Sequence, residues 1–591
     1  MLYVLVDTPC NIPGSMGRSH SDIYVIPAHE AFSEFAEANA DHLRQCIQAQ
    51  KANGTLPQCY WDHPVVKEHP DEDVLYGGLF VDGVAHALTD GVIGFWLICF
   101  LTGRRFLLSV LRKRRLCGSS GTCGCRGWCT LYCIFEYLAW CFTALKNGAY
   151  PSERHDRKRW RPLDVIRAAR AGALMPFRFA MTYLKTDWSE LATTFGFPGH
   201  NDGLRPCFKC NCHEGNMHEI AGCSPMGLIW RENMVGDYES ACNRCEINIR
   251  ITHDEHAAIC NALTDFDKRS IGALGRALAR DVLVGGVQLL KGDRLEPCPS
   301  VPDTGPCFDA LDAACFPLWV LFWRRSMETI VRRRSPLFQQ STGIAAELVL
   351  TVDILHALYL GIMQALVKHV IWFLIDAHMW GEHGTQEEIY KVNLSALAAH
   401  LESWYSKRHQ EFPKEGLTRV HDLNSKVVGE PGARKLASKA AQTYGLLLFC
   451  VYILTSCANR LPSGSLHLCE ACEAMVHMIH VLRHAGQRPT RASQQQCFDC
   501  LHRIYARTEH LEEMLVGKRH MVVHMIYDMA RLGNPDMYAN WYDESLSKML
   551  KGYLRHVSQS TFEPFVLLRM RDGLRQEGER VKEKRSRTTE G

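Results

Sequence analysis

The stretch from Tyr76 to Leu111 constrains the fold most tightly, because it holds three apolar runs separated only by turn signals. The runs Tyr76–Val84, Val92–Leu101 and Phe106–Leu111 have strand length, and Asp90-Gly91 and Gly103 sit between them. Spacing this short predicts three antiparallel strands. One residue interrupts the pattern. Asp82, in Gly78-Leu-Phe-Val-Asp82-Gly-Val, puts a carboxylate into an apolar strand, where burial is expensive without a partner or a metal. An acid at a strand end beside a turn is the plainer reading of the same residue.

A cysteine- and glycine-rich loop, Cys117 to Cys129, follows and leads into an apolar helical stretch, Leu131–Lys146. A basic linker, Ser152–Arg170, precedes the mixed segment Ala173–Lys185, which reads as strand, then Asp187 and a short helix, Trp188–Phe195. Three antiparallel strands, a helix, a strand and a helix is the order of the ribonuclease-H fold, although many α/β domains contain such a run. The expected class is α/β plus α: a ribonuclease-H-like core interrupted by a zinc-binding insertion and a large, mainly helical one. Residues 1–74 read as an irregular leader with one amphipathic helix, Ala28–Ala52, stopped by Asn53-Gly54. Residues 75–200 form the first part of the core, 201–260 a cysteine-knuckle insertion and 261–344 an irregular basic connector. Residues 345–515 form the helical insertion, with breaks at Gly381–Gly384, Gly429–Gly432, Ser463–Ser465 and Gly486–Pro489. Residues 516–570 return to the core, and 571–591 are a charged tail.

Among 591 residues the abundant types are 26 cysteines and 28 histidines, while 67 Lys+Arg against 64 Asp+Glu leave a net charge of only +3. The chain is no polycation, so nucleic-acid binding would need local basic patches. The start, Met1-Leu-Tyr-Val-Leu-Val-Asp7, lacks a basic n-region and is not read as a signal peptide. The longest apolar stretch, Ile354–Ile375, contains His356, Lys368 and His369, and falls short of a membrane span. A reducing, intracellular setting is expected, in which cysteines serve as core residues, zinc ligands or nucleophiles.

Cys207-x2-Cys210 and Cys242-x2-Cys245 are two knuckles that suit a tetrahedral thiolate zinc site, with Cys212, His213 and Cys223 as spare ligands. Such a zinc would be structural. Cys117, Cys123, Cys125 and Cys129 form a second, irregularly spaced candidate. Cys469/Cys472 and Cys497/Cys500 lie in helical patterns and read as buried core thiols. His520 and His524 share a helical face and could ligate a metal, but no third ligand is evident nearby in sequence, so core histidines are the expectation.

Asp187, in Lys185-Thr-Asp187-Trp188, sits where strand passes into helix, and by itself reads as an N-cap. After it come the knuckles, then Asp353-Ile-Leu-His356, then His520-Met-Val-Val-His524, Gly533-Asn-Pro and Tyr542-Asp543-Glu544. In this order the motifs resemble those of eukaryotic DDE transposases of the CACTA (Tnp2) type and their Plavaka and KDZ-like relatives, over roughly residues 75–570. The resemblance implies Asp82, Asp187 and Glu544 as the catalytic acids, Asp543 being the nearest rival for the third. It implies Asp353 and His356, which share one helical face, as supporting residues.

It further implies Mg²⁺ or Mn²⁺ at the carboxylates, strand cleavage and strand transfer by two-metal chemistry, DNA ends and target as partners, a homo-oligomer when active, and the nucleus as location. Candidates for DNA contact are Arg112, Lys113, Arg114, Arg115 and Arg332, Arg333, Arg334, with Arg104-Arg105, Arg154–Arg170 and Arg324-Arg325 as further basic stretches. The competing reading is a non-catalytic DNA- or protein-binding protein derived from such an element, with structural zinc. A third, a zinc-stabilised scaffold with no nucleic-acid role, needs only the cysteines and the helices. No membrane role is expected.

Overall fold

In the computed structural model, residues 3–11, 18–85, 90–117, 127–197, 199, 206–234, 236–237, 335–511, 514, 517–541, 543–554, 557 and 561–571 are described. The centre is a six-stranded mixed sheet of β1 (Val4–Asn11), β2 (Arg18–Val25), β3 (Leu75–Ala85), β4 (Gly91–Cys99), β5 (Arg104–Arg112) and β6 (Phe179–Lys185), in the order β1-β2-β5-β4-β3-β6. Strands β3, β4 and β5 form the expected antiparallel meander. Strand β6 returns parallel to β3, from Leu75↔Phe179 to Phe80↔Lys185. The leader departs from expectation: its first residues make the β1–β2 hairpin, which joins the sheet through the single pair Val25↔Ser109. Its helix is two helices, α1 (Ala28–Ala38) and α2 (Ala40–Ala52), broken at Asn39, whose φ of −131° and ψ of 22° are not helical.

The sheet is covered on both faces. Alternate residues Leu79, Val81, Phe95 and Leu97 pack into a large core shared with α3 (Trp128–Asn147) and the helical body. Phe80, Val92, Trp96 and Ile98 face the other way, onto Leu546, Leu550, Phe562 and Val566. All nine residues of β4 are consequently buried. Two glycines permit the close packing. A Cβ on Gly77 would lie 1.9 Å from the Ile98 carbonyl oxygen, and one on Gly94 would lie 3.1 Å from Leu550 Cδ1.

Past β6 comes α4 (Trp188–Phe195), and among the described residues from Leu355 onward helix predominates, apart from the largely non-helical stretch 412–439. A π-helix, Leu355–Ile362, runs into α5 (Met363–Asp376), followed by α6 (Gln386–Glu411), α7 (Ala440–Ser456), α8 (Ser465–His484), α9 (Arg491–Thr508), α10 (Gly517–Tyr527) and α11 (Asp543–Leu554). The breaks fall where glycine, proline and serine predict them. Two helices, Trp128–Asn147 and Leu355–Asp376, are long and apolar enough to cross a membrane by length and composition, yet each has 67% of its most apolar window buried inside the fold. Of the four expected core thiols, Cys472, Cys497 and Cys500 are buried on α8 and α9, where burial raises their pKa values, while Cys469 is half-buried.

Candidate functional site

Asp82 and Asp187 each lie two residues beyond the last parallel pair, Phe80↔Lys185, which puts Asp187 just past the end of β6 and Asp82 in the carboxyl-terminal part of β3, opposite Gly94. Carboxyl ends of parallel strands are where open α/β sheets place their sites. Asp187 also caps α4, its Oδ1 accepting the Glu190 amide at 2.6 Å. Glu190, buried, accepts from the Thr194 hydroxyl and meets Lys113 Nζ at 3.5 Å. Helix α11 brings up the third acid: Ser547 Oγ donates to Asp82 Oδ2 at 2.5 Å, and one turn earlier Glu544 Oε1 lies 3.8 Å from His356 Nε2.

The electrostatics mark these acids as one cluster. Burial first, then the charges of Asp187, Glu544 and Glu190, push the Asp82 carboxyl up to about 6 against the Ser547 hydrogen bond. Burial alone would lower the His356 pKa, but the bond from Nδ1 to Asp353 Oδ2, at 2.6 Å, and the charges of Asp187 and Glu544 raise it. The buried Asp353 also accepts the His356 amide and, on Oδ1, the Asn540 amide at 3.0 Å. Within the π-helix, Gly361 has φ −107° and ψ −110°, and the neighbouring Leu360 carbonyl accepts Lys518 Nζ at 3.0 Å. Single π turns inside helices are common at functional sites. The oxygens of Asp82, Asp187 and Glu544 do not converge to within 4.8 Å of one another.

Asp543, the rival third acid, faces away from this cluster. It is fully buried, with Arg105 Nε on Oδ1 at 2.5 Å and Lys185 Nζ on Oδ2.

A second site is built from sulfur and nitrogen. Sγ of Cys207, Cys210 and Cys212 and a ring nitrogen of His520 all lie within 4.8 Å of one another, and all four residues are buried. His520 Nε2 is 3.3 Å from Cys210 Sγ and 3.5 Å from Cys212 Sγ. Tetrahedral zinc, with Zn–S of about 2.3 Å and Zn–N of about 2.05 Å, sets sulfur and nitrogen roughly 3.6 Å apart. His520 Nδ1 faces the Met217 carbonyl at 3.0 Å, which makes Nδ1 the protonated nitrogen and leaves the Nε2 lone pair toward the sulfurs. The Lys209 amide donates to Cys207 Sγ at 3.2 Å, and Trp230 lies edge-on over His520. Burial and the neighbouring sulfurs push Cys210 up, while the Cys210 and Cys212 thiols and the two histidines outweigh burial and hold Cys207 well below the usual thiol range. A buried Cys3His group of this kind can hold a metal such as zinc.

The group includes part of the expected ligand set. Cys207 and Cys210 are in the group, whereas Cys242 and Cys245 lie outside the described residues. Cys212, a spare in the sequence reading, and His520 join them. The third partner that the His520/His524 pair lacks in sequence is the knuckle itself, and His524 Nε2 lies 3.0 Å from His520 Nε2. The available signal was weak: a His-x3-His pair without a third ligand, and a Cys-x2-Cys-x-Cys run with a spare thiol at Cys212, some 310 residues earlier. Of the second cysteine candidate, Cys117 is buried and Cys129 half-buried, with no third ligand gathered among the described residues, while Cys123 and Cys125 lie outside them.

The basic run Arg112–Arg115, at the end of β5 and in the 3-10 turn after it, turns largely inward. Arg112 is buried and meets Asp90 at 2.7 Å, Arg114 meets Asp90 at 3.4 Å, and Arg115 meets Glu563 at 3.0 Å. Lys113 and Arg114 keep the most exposure. Arg324, Arg325, Arg332, Arg333 and Arg334 lie outside the described residues. No family model matches the chain, and neither does any curated protein or solved structure.

Proposed function

We propose that the six-stranded sheet is a ribonuclease-H-like core and that the chain is a DNA transposase-like protein, cleaving and joining DNA strands at Asp82, Asp187 and Glu544. The observation that carries this reading is the electrostatic cluster at the carboxyl ends of β3 and β6, where the charges of Asp187 and Glu544 both raise the buried Asp82 carboxyl. Acids gathered at one end of a sheet suit a divalent cation, and three carboxylates with phosphate oxygens are what Mg²⁺ takes. Bound there, such ions supply activation of an attacking hydroxyl and stabilisation of the leaving oxygen. The protein's part is to bring the acids to one end of the sheet, to orient Glu544 through α11, and to set His356, fixed by Asp353, beside them. DNA and target strands would then be the partners, and the nucleus the place of action.

The test is single-turnover cleavage of duplex DNA carrying candidate terminal repeats, with Mg²⁺ or Mn²⁺, by the wild type and by Asp82→Asn, Asp187→Asn and Glu544→Gln. The reading requires that each variant lose activity by about 100-fold or more. Activity untouched by Asp82→Asn refutes it.

One observation favours the alternative of a non-catalytic binding protein with structural zinc. Arg112, Arg114 and Arg115 spend charge on internal acids, so this basic run offers DNA less than its sequence promises. Zinc content with no metal-dependent cleavage on any duplex would select that reading.

A further inference from the structure

Both oxygens of Asp543 are taken, by Arg105 at the start of β5 and by Lys185 at the end of β6, and Asp543 and Lys185 are 0% and 2% exposed as side chains. Lys185 Nζ also donates to the Ala539 carbonyl at 3.1 Å. The next residue, Asn540, gives its amide to Asp353 and its carbonyl to the Glu544 amide at 2.9 Å. One turn beyond, Ser547 binds Asp82. The anchors of this short segment thus lead to the cluster: Lys185 two residues before Asp187, Asp353 through His356, which meets Glu544 at 3.8 Å, and Asp82 itself.

A buried ion pair is weak grounds for stability, because desolvation offsets the attraction and apolar replacements are often neutral. What the pair does fix is rotation. Successive helical residues point about 100° apart, so a carboxylate gripped from two sides at position 543 determines where position 544 points. A leucine at 543 could fill the same space without setting that angle.

We propose that Asp543, gripped by Lys185 and Arg105, is a positioning residue that aims Glu544 at Asp82 and Asp187. This rests on the reading of those three acids as a divalent-metal site. Asp543 touches neither metal nor DNA; it acts through Glu544. Groups that orient a metal ligand typically matter 10–100-fold in metal affinity.

The test titrates Mn²⁺ into the zinc-loaded full chain, following free Mn²⁺ by electron paramagnetic resonance, with single-turnover DNA cleavage alongside. Asp82→Asn and Glu544→Gln should each weaken Mn²⁺ binding. The pair replacement Lys185→Met/Asp543→Leu should keep zinc content and thermal midpoint, weaken Mn²⁺ about tenfold, and slow cleavage with the KM for DNA unchanged. Should that double variant not fold, Arg105→Gln, at a side chain 20% exposed, should weaken Mn²⁺ by a few-fold.

Wild-type Mn²⁺ affinity in a folded double variant, or in Arg105→Gln where the double does not fold, overturns the positioning role while Asp82→Asn still weakens binding. Identical Mn²⁺ binding by the wild type and Asp82→Asn overturns the metal reading, and the positioning role with it.

Discussion

Replacing Asp82 by asparagine should stabilise the protein at neutral pH. The Asp82 carboxyl is raised from 3.8 to about 6, chiefly by burial, so the folded state holds the proton more tightly than the unfolded state does. Folding stability therefore falls as pH rises through that window, with the cost absent below pH 3.8 and full above about 6. A shift of about two units at 1.36 kcal/mol per unit corresponds to at most about 3 kcal/mol. Asparagine carries no charge and still offers Ser547 an oxygen.

The assay is thermal unfolding of the wild type and the variant from about pH 4 to pH 8 in buffer without divalent ions. The midpoints should coincide at the acid end, separate through the window, and reach a plateau with asparagine the more stable. Millimolar Mg²⁺ should then stabilise the wild type alone and narrow the gap. A gap that does not change with pH, or one in which asparagine is the less stable above pH 6, refutes the assignment of Asp82 as a buried, charge-crowded acid.

The remaining expectations concern neighbouring groups. Ser547→Ala removes a bond to a carboxylate, which should cost about 1.5–3 kcal/mol and move the Asp82 titration further up, read as an alkaline displacement of the same pH–stability curve. Mass spectrometry under native conditions should find zinc on the purified chain, lost in Cys210→Ser and bound roughly 10–100-fold more weakly in His524→Ala. Gly77→Ala would drive a methyl group to 1.9 Å from the Ile98 carbonyl oxygen, so a loss of about 3 kcal/mol or more, or an insoluble product, is expected from urea unfolding.

The parts legible in sequence are those governed by local rules. Strands β3 to β5 follow from apolar runs of strand length and their turn residues, and α4 from the capping position of Asp187. Asp82 stood out because a charge in an apolar strand is costly. Local rules gave no access to long-range pairing. His520 meets Cys210 across 310 residues, and nothing near either one in sequence announces the other. Asp543 and Glu544 are adjacent acids at a helix start, indistinguishable until Lys185 and Arg105 are seen to take one of them. The β1–β2 hairpin was hidden for a different reason. It holds Asp7 and Pro9, so alternation is weak, and the turn signals around Asn11 to Gly17 read as an irregular leader. Inward pairing of the β5 arginines likewise depends on Asp90 and Glu563, one of them distant in the chain.

The Lys185–Asp543 contact also has a consequence in time. Its partners are 358 residues apart. At ordinary elongation speeds of roughly 5–20 residues per second, a ribosome takes about 20–70 s to deliver the second after the first. Throughout that interval the face of the sheet later covered by Leu546 and Leu550 stays open, and Lys185 has no counter-charge. Nascent chains of this protein should therefore be prominent clients of ribosome-associated chaperones. The same delay means that Asp82 and Asp187 stand without Glu544 until the last part of the chain has emerged.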